Sequence, residues 1–142
     1  MSAATAPAPF RFPVRVYWED TDAGGVVFYA NYLKFFERAR TEWLRAAGCE
    51  QQRLRDDSGA IFIVSETQVR FLLPARLDDL LDITVVVLHA GRAQLSVAQQ
   101  AWRGAALLAE GTIRIGCVDA ATFRPRRIPS ALADACLPPP RA

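Results

Sequence analysis

One long amphipathic helix, set among runs of strand character, constrains this chain more than any other feature. Tyr32, Phe35, Phe36, Ala39, Trp43 and Ala47 recur at intervals of three and four, while Lys34, Glu37, Arg38, Thr41, Glu42 and Arg45 take the other side. That period predicts a helix with one buried stripe. Upstream, Val14, Val16 and Trp18 alternate with Arg15, Tyr17 and Glu19, the period of a half-buried strand. Downstream, Gly48 supplies a C′ glycine and the polar run Glu50 to Gly59 reads as a connection. Four strands are then predicted, Ile61 to Leu73, Leu80 to His89, Arg92 to Trp102 and Ala105 to Val118, broken by Pro74 to Asp79, Ala90-Gly91 and Arg103-Gly104. A doubly wound sheet needs repeated crossover helices, and none is present. The pattern therefore predicts an α+β domain whose antiparallel sheet lays one face on the helix.

The strand and the helix meet in Glu19-Asp20-Thr21-Asp22-Ala23-Gly24-Gly25-Val26-Val27-Phe28-Tyr29-Ala30-Asn31. A helix start leaves backbone N–H groups unpaired, and glycines at the approach let a ligand come close to them. Such donors suit a carbonyl oxygen that gains charge. A nearby carboxylate then stands beside the carbon of that carbonyl, a pairing suited to acyl transfer. A loop aspartate before a helix is also a common N-cap or turn former, so the residues alone leave both readings open.

The run VRVYWEDTDAGGVVFYANYLKFFERARTEWLRAAG, Val14 to Gly48, closely resembles the hotdog-fold acyl-CoA thioesterases of the 4-hydroxybenzoyl-CoA thioesterase type. Within them it is most similar to the group associated with the Tol-Pal system. Ile61 to Ile83 adds weaker support. The resemblance implies a hotdog fold, an antiparallel sheet wrapped around one long helix, with two subunits paired so that the active sites lie at their interface. It implies Asp22, the second aspartate of a D-x-D-x-x-G pattern, as the catalytic carboxylate; Asp20, the rival carboxylate, is read as structural, steadying the turn by bonding loop amides. It also implies that the main-chain N–H of Tyr29 helps bind the substrate carbonyl. Members of the Tol-Pal group often carry histidine at that position. Here a phenol stands instead, unable to act as a base near neutral pH, and its ring is free to shape an acyl pocket.

Other candidates for substrate binding are Gly24 and Gly25, Ser65 as a polar break in an apolar strand, and Arg70 and Arg92 as partners for coenzyme A phosphates. Ser65 reads equally well as an outward strand residue. Glu37, on the polar helix face beside Arg38 and Arg40, reads as solvated surface. No metal or cofactor is expected beyond the coenzyme A of the substrate. His89 is the only histidine; one imidazole builds no zinc site unaided, and a Ser-His-Asp hydrolase would need His89 plus a nucleophile elbow. No G-x-S-x-G, Walker A or G-x-G-x-x-G pattern occurs.

The remaining properties bound the class. A chain of 142 residues, 51% of them hydrophobic, predicts one domain with a real core. A net charge of +2 over scattered basic residues gives no nucleic-acid surface. Cys49, Cys117 and Cys136 have no C-x-x-C spacing, so they read as reduced thiols and the location as cytoplasmic. MSAATAPAPF has neither a basic n-region nor a long apolar run, so no secretory signal and no transmembrane segment is expected. The domain is placed at residues 10–128, with Ala- and Pro-rich tails at 1–9 and 129–142 expected to be flexible. The resemblance implies two functions: a thioesterase acting as a homodimer or homotetramer on acyl-CoA, or an acyl-CoA or acyl-carrier-protein binding partner with little turnover in an envelope or lipid-synthesis complex.

Overall fold

The computed structural model describes residues 9–136. Strand β1, Phe10–Arg15, leads through the acidic loop into helix α1, Asn31–Ala46, and a short helix α2, Gln51–Ser58. Strands β2, Ala60–Phe71, β3, Leu80–Ala90, β4, Gln94–Arg103, and β5, Ala106–Asp119, complete one antiparallel sheet in the order β1-β3-β4-β5-β2. Helix α3, Ser130–Cys136, follows. This is the α+β hotdog arrangement, with the sheet curled around α1.

Alternation along the strands sets the inner face. Phe10, Phe12 and Val14 of β1 pair with Val85, Ile83 and Leu81 of β3, and Ile83 with the buried Ala101 of β4. Against this face α1 buries Tyr32, Phe35, Phe36, Ala39 and Leu44, each worth up to about 2–3 kcal/mol for the large side chains. The helix lies over β1, β3 and β4. The long edge strand β2 meets α2 but leaves Ile63, Val64 and Phe71 exposed. Gly48 ends α1 at φ +85°, the left-handed conformation that a C′ glycine adopts at no steric cost.

Three expectations need correction. The first strand stops at Arg15 rather than running to Trp18, because the Asp20 carboxylate takes the Tyr17 N–H at 2.8 Å and turns Trp18–Asp20 into a 3-10 turn. Val16 stays fully buried, but Trp18 is 81% exposed. The polar run after α1 is not a plain connection. Its residues are good helix formers, and α2 is fixed by Ser58 and Gln52 side-chain bonds and by Leu54 packed on the core. The expected C-terminal tail includes α3, anchored by Leu132 at 1% exposure and by the preceding Ile128. The remaining tail residues, 1–8 and 137–142, lie outside the described residues.

Candidate active site

The acidic loop is a small hairpin closed at its base. Thr21 pairs with Val27, the Asp22 N–H donates to the Val26 carbonyl at 2.8 Å, and the Phe28 N–H donates to the Asp20 carbonyl at 2.9 Å. Asp20 is buried beneath it, at 3% exposure. One of its carboxylate oxygens accepts the Tyr17 N–H, and the other accepts the Asn31 side-chain amide at 2.7 Å. A buried carboxylate needs such partners, and here they tie both ends of the loop to the first residue of α1. Asp20 therefore does what the sequence suggested for it. Asn31 was missed, although asparagine at a helix start is itself a signal for a side chain that bonds locally.

Asp22 lies at the exposed tip. Its Oδ1 accepts the N–H of Gly24 at 2.8 Å and of Val26 at 3.4 Å. Its Oδ2 has no hydrogen-bond partner among the described residues. Half of the carboxylate is thus anchored and half is available. The glycines permit this for different reasons. A side chain on Gly24 would press on Asp22 Oδ1 at 3.2 Å, whereas Gly25 sits at φ +79° with open space around it.

Tyr29 follows the hairpin, just before α1. Its N–H has no acceptor among the described residues, as expected of a helix approach. Its ring stands edge-on to Phe71, with centroids 6.1 Å apart. With Val27, Tyr32, Leu72, Leu73 and Pro74, these two residues line an apolar cavity of about 250 Å³. A larger depression, about 590 Å³, involves Gln68, Arg70, Gln100 and Glu110 but no α1 residue. It therefore lies on the outer sheet face, is edged by polar side chains, and has no carboxylate loop beside it. The smaller cavity is walled in part by Val27 and Tyr29, which follow Asp22 in the chain.

The structure thus brings together Asp22, Gly24, Gly25 and Tyr29, and leaves the other three candidates apart. Ser65 is the extra residue of a β2 bulge, with Oγ 3.4 Å from the Arg114 carbonyl, and lies six residues from Phe71, roughly 20 Å along a strand. Arg70 points outward and pairs with Glu110 at 3.5 Å. Arg92 sits beyond the far end of the 11-residue β3, roughly 35 Å of strand from the end that holds the loop. Glu37 is exposed and accepts the Thr41 hydroxyl at 2.7 Å rather than pairing with an arginine. Among the described residues no group of three or more His, Cys, Asp or Glu could hold a metal ion, and no helix is long and apolar enough to cross a membrane.

The polar side chains that support the site went unread in the sequence. Arg103 Nη1 donates to Asp79 Oδ2 at 2.8 Å and to the Pro74 carbonyl at 3.2 Å. Burial works to raise the Asp79 pKa, but the Arg76 N–H and the Arg103 guanidinium outweigh it and hold the carboxyl below the usual range. Deeper in, Gln99 is fully buried, accepts from Arg40 at 2.9 Å and donates to the Phe36 carbonyl at 3.0 Å. The alternation of β4 does put Gln99 on the inward face with Leu95, Val97 and Ala101, but it says nothing of the groups that Gln99 bonds there.

Comparison with known proteins agrees with this geometry. A model of the thioesterase-like superfamily matches residues 16–136. The acyl-CoA thioesterase YbgC of Haemophilus influenzae is 42% identical over 120 residues, covering 84% of this chain and 88% of the relative. The acyl-CoA thioester hydrolase YbgC of Escherichia coli O157:H7 is 43% identical over 124 residues, covering 87% and 92%. Among solved structures, a probable thioesterase from Bartonella henselae superposes with a TM-score of 0.81 at 35% identity, over 86% of this chain and all of that one. A carboxylate loop closed against a helix start, on a sheet that matches these relatives nearly end to end, identifies the chain: it belongs to the thioesterase-like superfamily, with the YbgC acyl-CoA thioesterases among its relatives.

Proposed function

We propose that this chain hydrolyses acyl-CoA thioesters to the free acid and CoA. One observation carries the reading: a carboxylate with a free oxygen and an unpaired main-chain N–H are held on the same short loop beside an apolar cavity. The thioester carbonyl accepts the Tyr29 N–H, which stabilises the oxyanion as charge develops. Asp22 Oδ2 then acts in one of two ways. It attacks the carbonyl carbon and expels CoA thiolate, and water opens the resulting anhydride; or it takes a proton from the water that attacks. A thiolate leaves readily, so the sulfur needs no strong acid. The reaction uses no metal and no group beyond the substrate's own CoA. The Tyr29 and Phe71 rings favour an acyl group that can lie against aromatic walls.

The assembly that suits this chemistry is a homodimer, alone or within a homotetramer. Strand β2 is an edge with exposed Ile63, Val64 and Phe71, a surface that soluble proteins cover. A second copy laid antiparallel along it sets the far end of one sheet beside the acidic loop of the other. In that arrangement Arg92 of the second copy comes within reach of CoA phosphates that Arg92 of the same chain cannot meet, and Ser65 of the second copy nears the acyl cavity. Arg70, paired outward with Glu110, is the weaker phosphate ligand. Cys49 and Cys117, free and buried, suit a reducing cytoplasm.

The test is thiol release from short aliphatic, long aliphatic and aromatic acyl-CoAs by the parent and by Asp22→Asn. The parent turns over at least one of them, and the folded variant loses about a hundredfold or more. An unchanged rate in the variant overturns the role of Asp22. A parent inactive on every acyl-CoA, yet binding acyl-CoA or an acyl carrier protein, favours the binding-partner reading.

A further inference from the structure

Arg103 closes β4 at the turn before Gly104, and it touches neither Asp22 nor the apolar cavity. Its guanidinium nevertheless starts a path of hydrogen bonds and short backbone links that ends on Asp22. Nη1 donates to Asp79 Oδ2 and to the Pro74 carbonyl, at 2.8 and 3.2 Å. The same Asp79 oxygen accepts the Arg76 N–H at 2.8 Å, and the Asp79 carbonyl accepts the Val16 N–H at 2.9 Å. Within the turn fixed this way, the Ala75 carbonyl accepts the Val27 N–H at 2.8 Å, and Arg76 bridges Val26. Val26 in turn accepts the Asp22 N–H and donates its own N–H to Asp22 Oδ1. A branch runs to the helix, where the Ala75 N–H donates to the Tyr32 hydroxyl at 3.2 Å.

The segment between β2 and β3 has no regular structure, and its Asp78 sits at φ +70°, a conformation a non-glycine residue holds only when its surroundings fix it. Nη1 of Arg103 holds a carboxylate and a carbonyl together, and the planar guanidinium fixes the angle between the two bonds, which a freely rotating ammonium does less well. We infer that Arg103, acting through Asp79 and Pro74, is a positioning residue: it fixes the 74–79 turn as the template on which the Asp22 hairpin and the Pro74 side of the cavity are registered. The inference rests on the reading of Asp22 as the reacting carboxylate.

The test uses the full chain with Arg103→Gln and Arg103→Lys, read by steady-state kinetics on the best acyl-CoA and by amide hydrogen exchange. Arg103→Gln loses about tenfold or more in kcat, as expected when a reacting group drifts from its register, with KM changed less than about threefold. Exchange rises about tenfold in residues 20–28 and 72–79 and stays unchanged in α1, the signature of local rather than global opening. Arg103→Lys, which keeps the charge, recovers part of both. The inference is overturned if exchange in 20–28 is unchanged, or if it rises equally in α1, which would mark Arg103 as a general stabiliser. Should the parent release no thiol from any acyl-CoA, the thioesterase reading falls, and the exchange pattern alone decides whether Arg103 holds the loop.

Discussion

Asp20 and Asn31, 11 residues apart, are joined by a 2.7 Å bond from the Asn31 side-chain amide to the buried Asp20 carboxylate. That bond fixes the angle at which the acidic loop enters α1, and with it the place of the Tyr29 N–H. Asn31→Ala leaves a buried carboxylate oxygen unsatisfied, which costs about 1–3 kcal/mol. Asn31→Asp sets a second carboxylate against the first and costs more at neutral pH. Denaturant unfolding of the two variants measures the difference, and a more stable Asn31→Asp would show that the Asn31 amide does not anchor Asp20.

Two glycines resist substitution for opposite reasons. At Gly111 an added Cβ meets the Gln68 carbonyl oxygen at 2.5 Å, so β2 and β5 must separate where Val69 faces Gly111. Gly111→Ala is expected to cost about 3 kcal/mol or more, as overpacking against backbone does. At Gly25 the space is open and only φ +79° stands in the way, so Gly25→Ala costs about 1–2 kcal/mol and acts on the hairpin more than on the sheet. Chemical denaturation ranks the two, and a larger loss at Gly25 would mean that the hairpin, rather than the β2–β5 pairing, limits stability.

The helix, the four long strands and the antiparallel sheet were legible because each repeats a period: three and four in Tyr32 to Ala39, two in Leu81 to Val85. Single side chains that bond across the fold have no period. Asp20 was legible as a loop former because its partners are near in sequence. Asn31 was not, since its partner is the buried carboxylate rather than a helix amide. Helix α2 escaped for want of an apolar stripe, because Leu54 is its one apolar residue. Trp18 was misplaced because alternation cannot show where a carboxylate captures a strand N–H. Arg92 and Asp22 were read as parts of one site from residue type, although within one chain the length of β3 separates them. Arg103 and Gln99 look like ordinary polar residues at a turn and on a strand.

Gln99 seals a defect in the sheet. The β3–β4 ladder keeps one register from Ile83 opposite Ala101 to Val86 opposite Ala98, but Thr84 and Val85 are not paired across it. In that gap Gln99 Nε2 reaches the Thr84 carbonyl at 3.4 Å, and the Gln100 N–H donates to the Thr84 hydroxyl at 3.1 Å. Arg40, its pKa pushed down by burial, donates into the same cluster. Gln99→Leu strips Arg40 of its acceptor and is expected to cost about 2–4 kcal/mol, since the lost hydrogen bond involves a charge. Adding Arg40→Met to Gln99→Leu removes the stranded charge and restores most of that loss. A double-mutant cycle by thermal unfolding gives the coupling, and strict additivity would show that the two side chains do not act together.

Stability toward acid should report the Arg103–Asp79 pair. Arg76 and Arg103 face the Asp79 carboxylate and hold its pKa below the unfolded value despite partial burial. A carboxyl depressed on folding contributes stability above its unfolded pKa and loses it as pH falls through the folded one. The parent should therefore lose stability below about pH 4, the unfolded aspartate range. Asp119, held down by the Thr122 and Ala121 N–H groups and by Arg126, contributes to the same limb, so the parent curve alone does not identify Asp79. Asp79→Asn removes one titrating group, lowers stability at pH 7 and flattens the limb. Arg103→Gln lets the Asp79 pKa rise toward its unfolded value, so it too lowers stability at pH 7 and flattens the limb. Unfolding midpoints measured from pH 2 to 7 decide the matter: a limb of unchanged steepness in Asp79→Asn would assign the acid sensitivity to Asp119 and leave the Arg103–Asp79 contact without electrostatic weight.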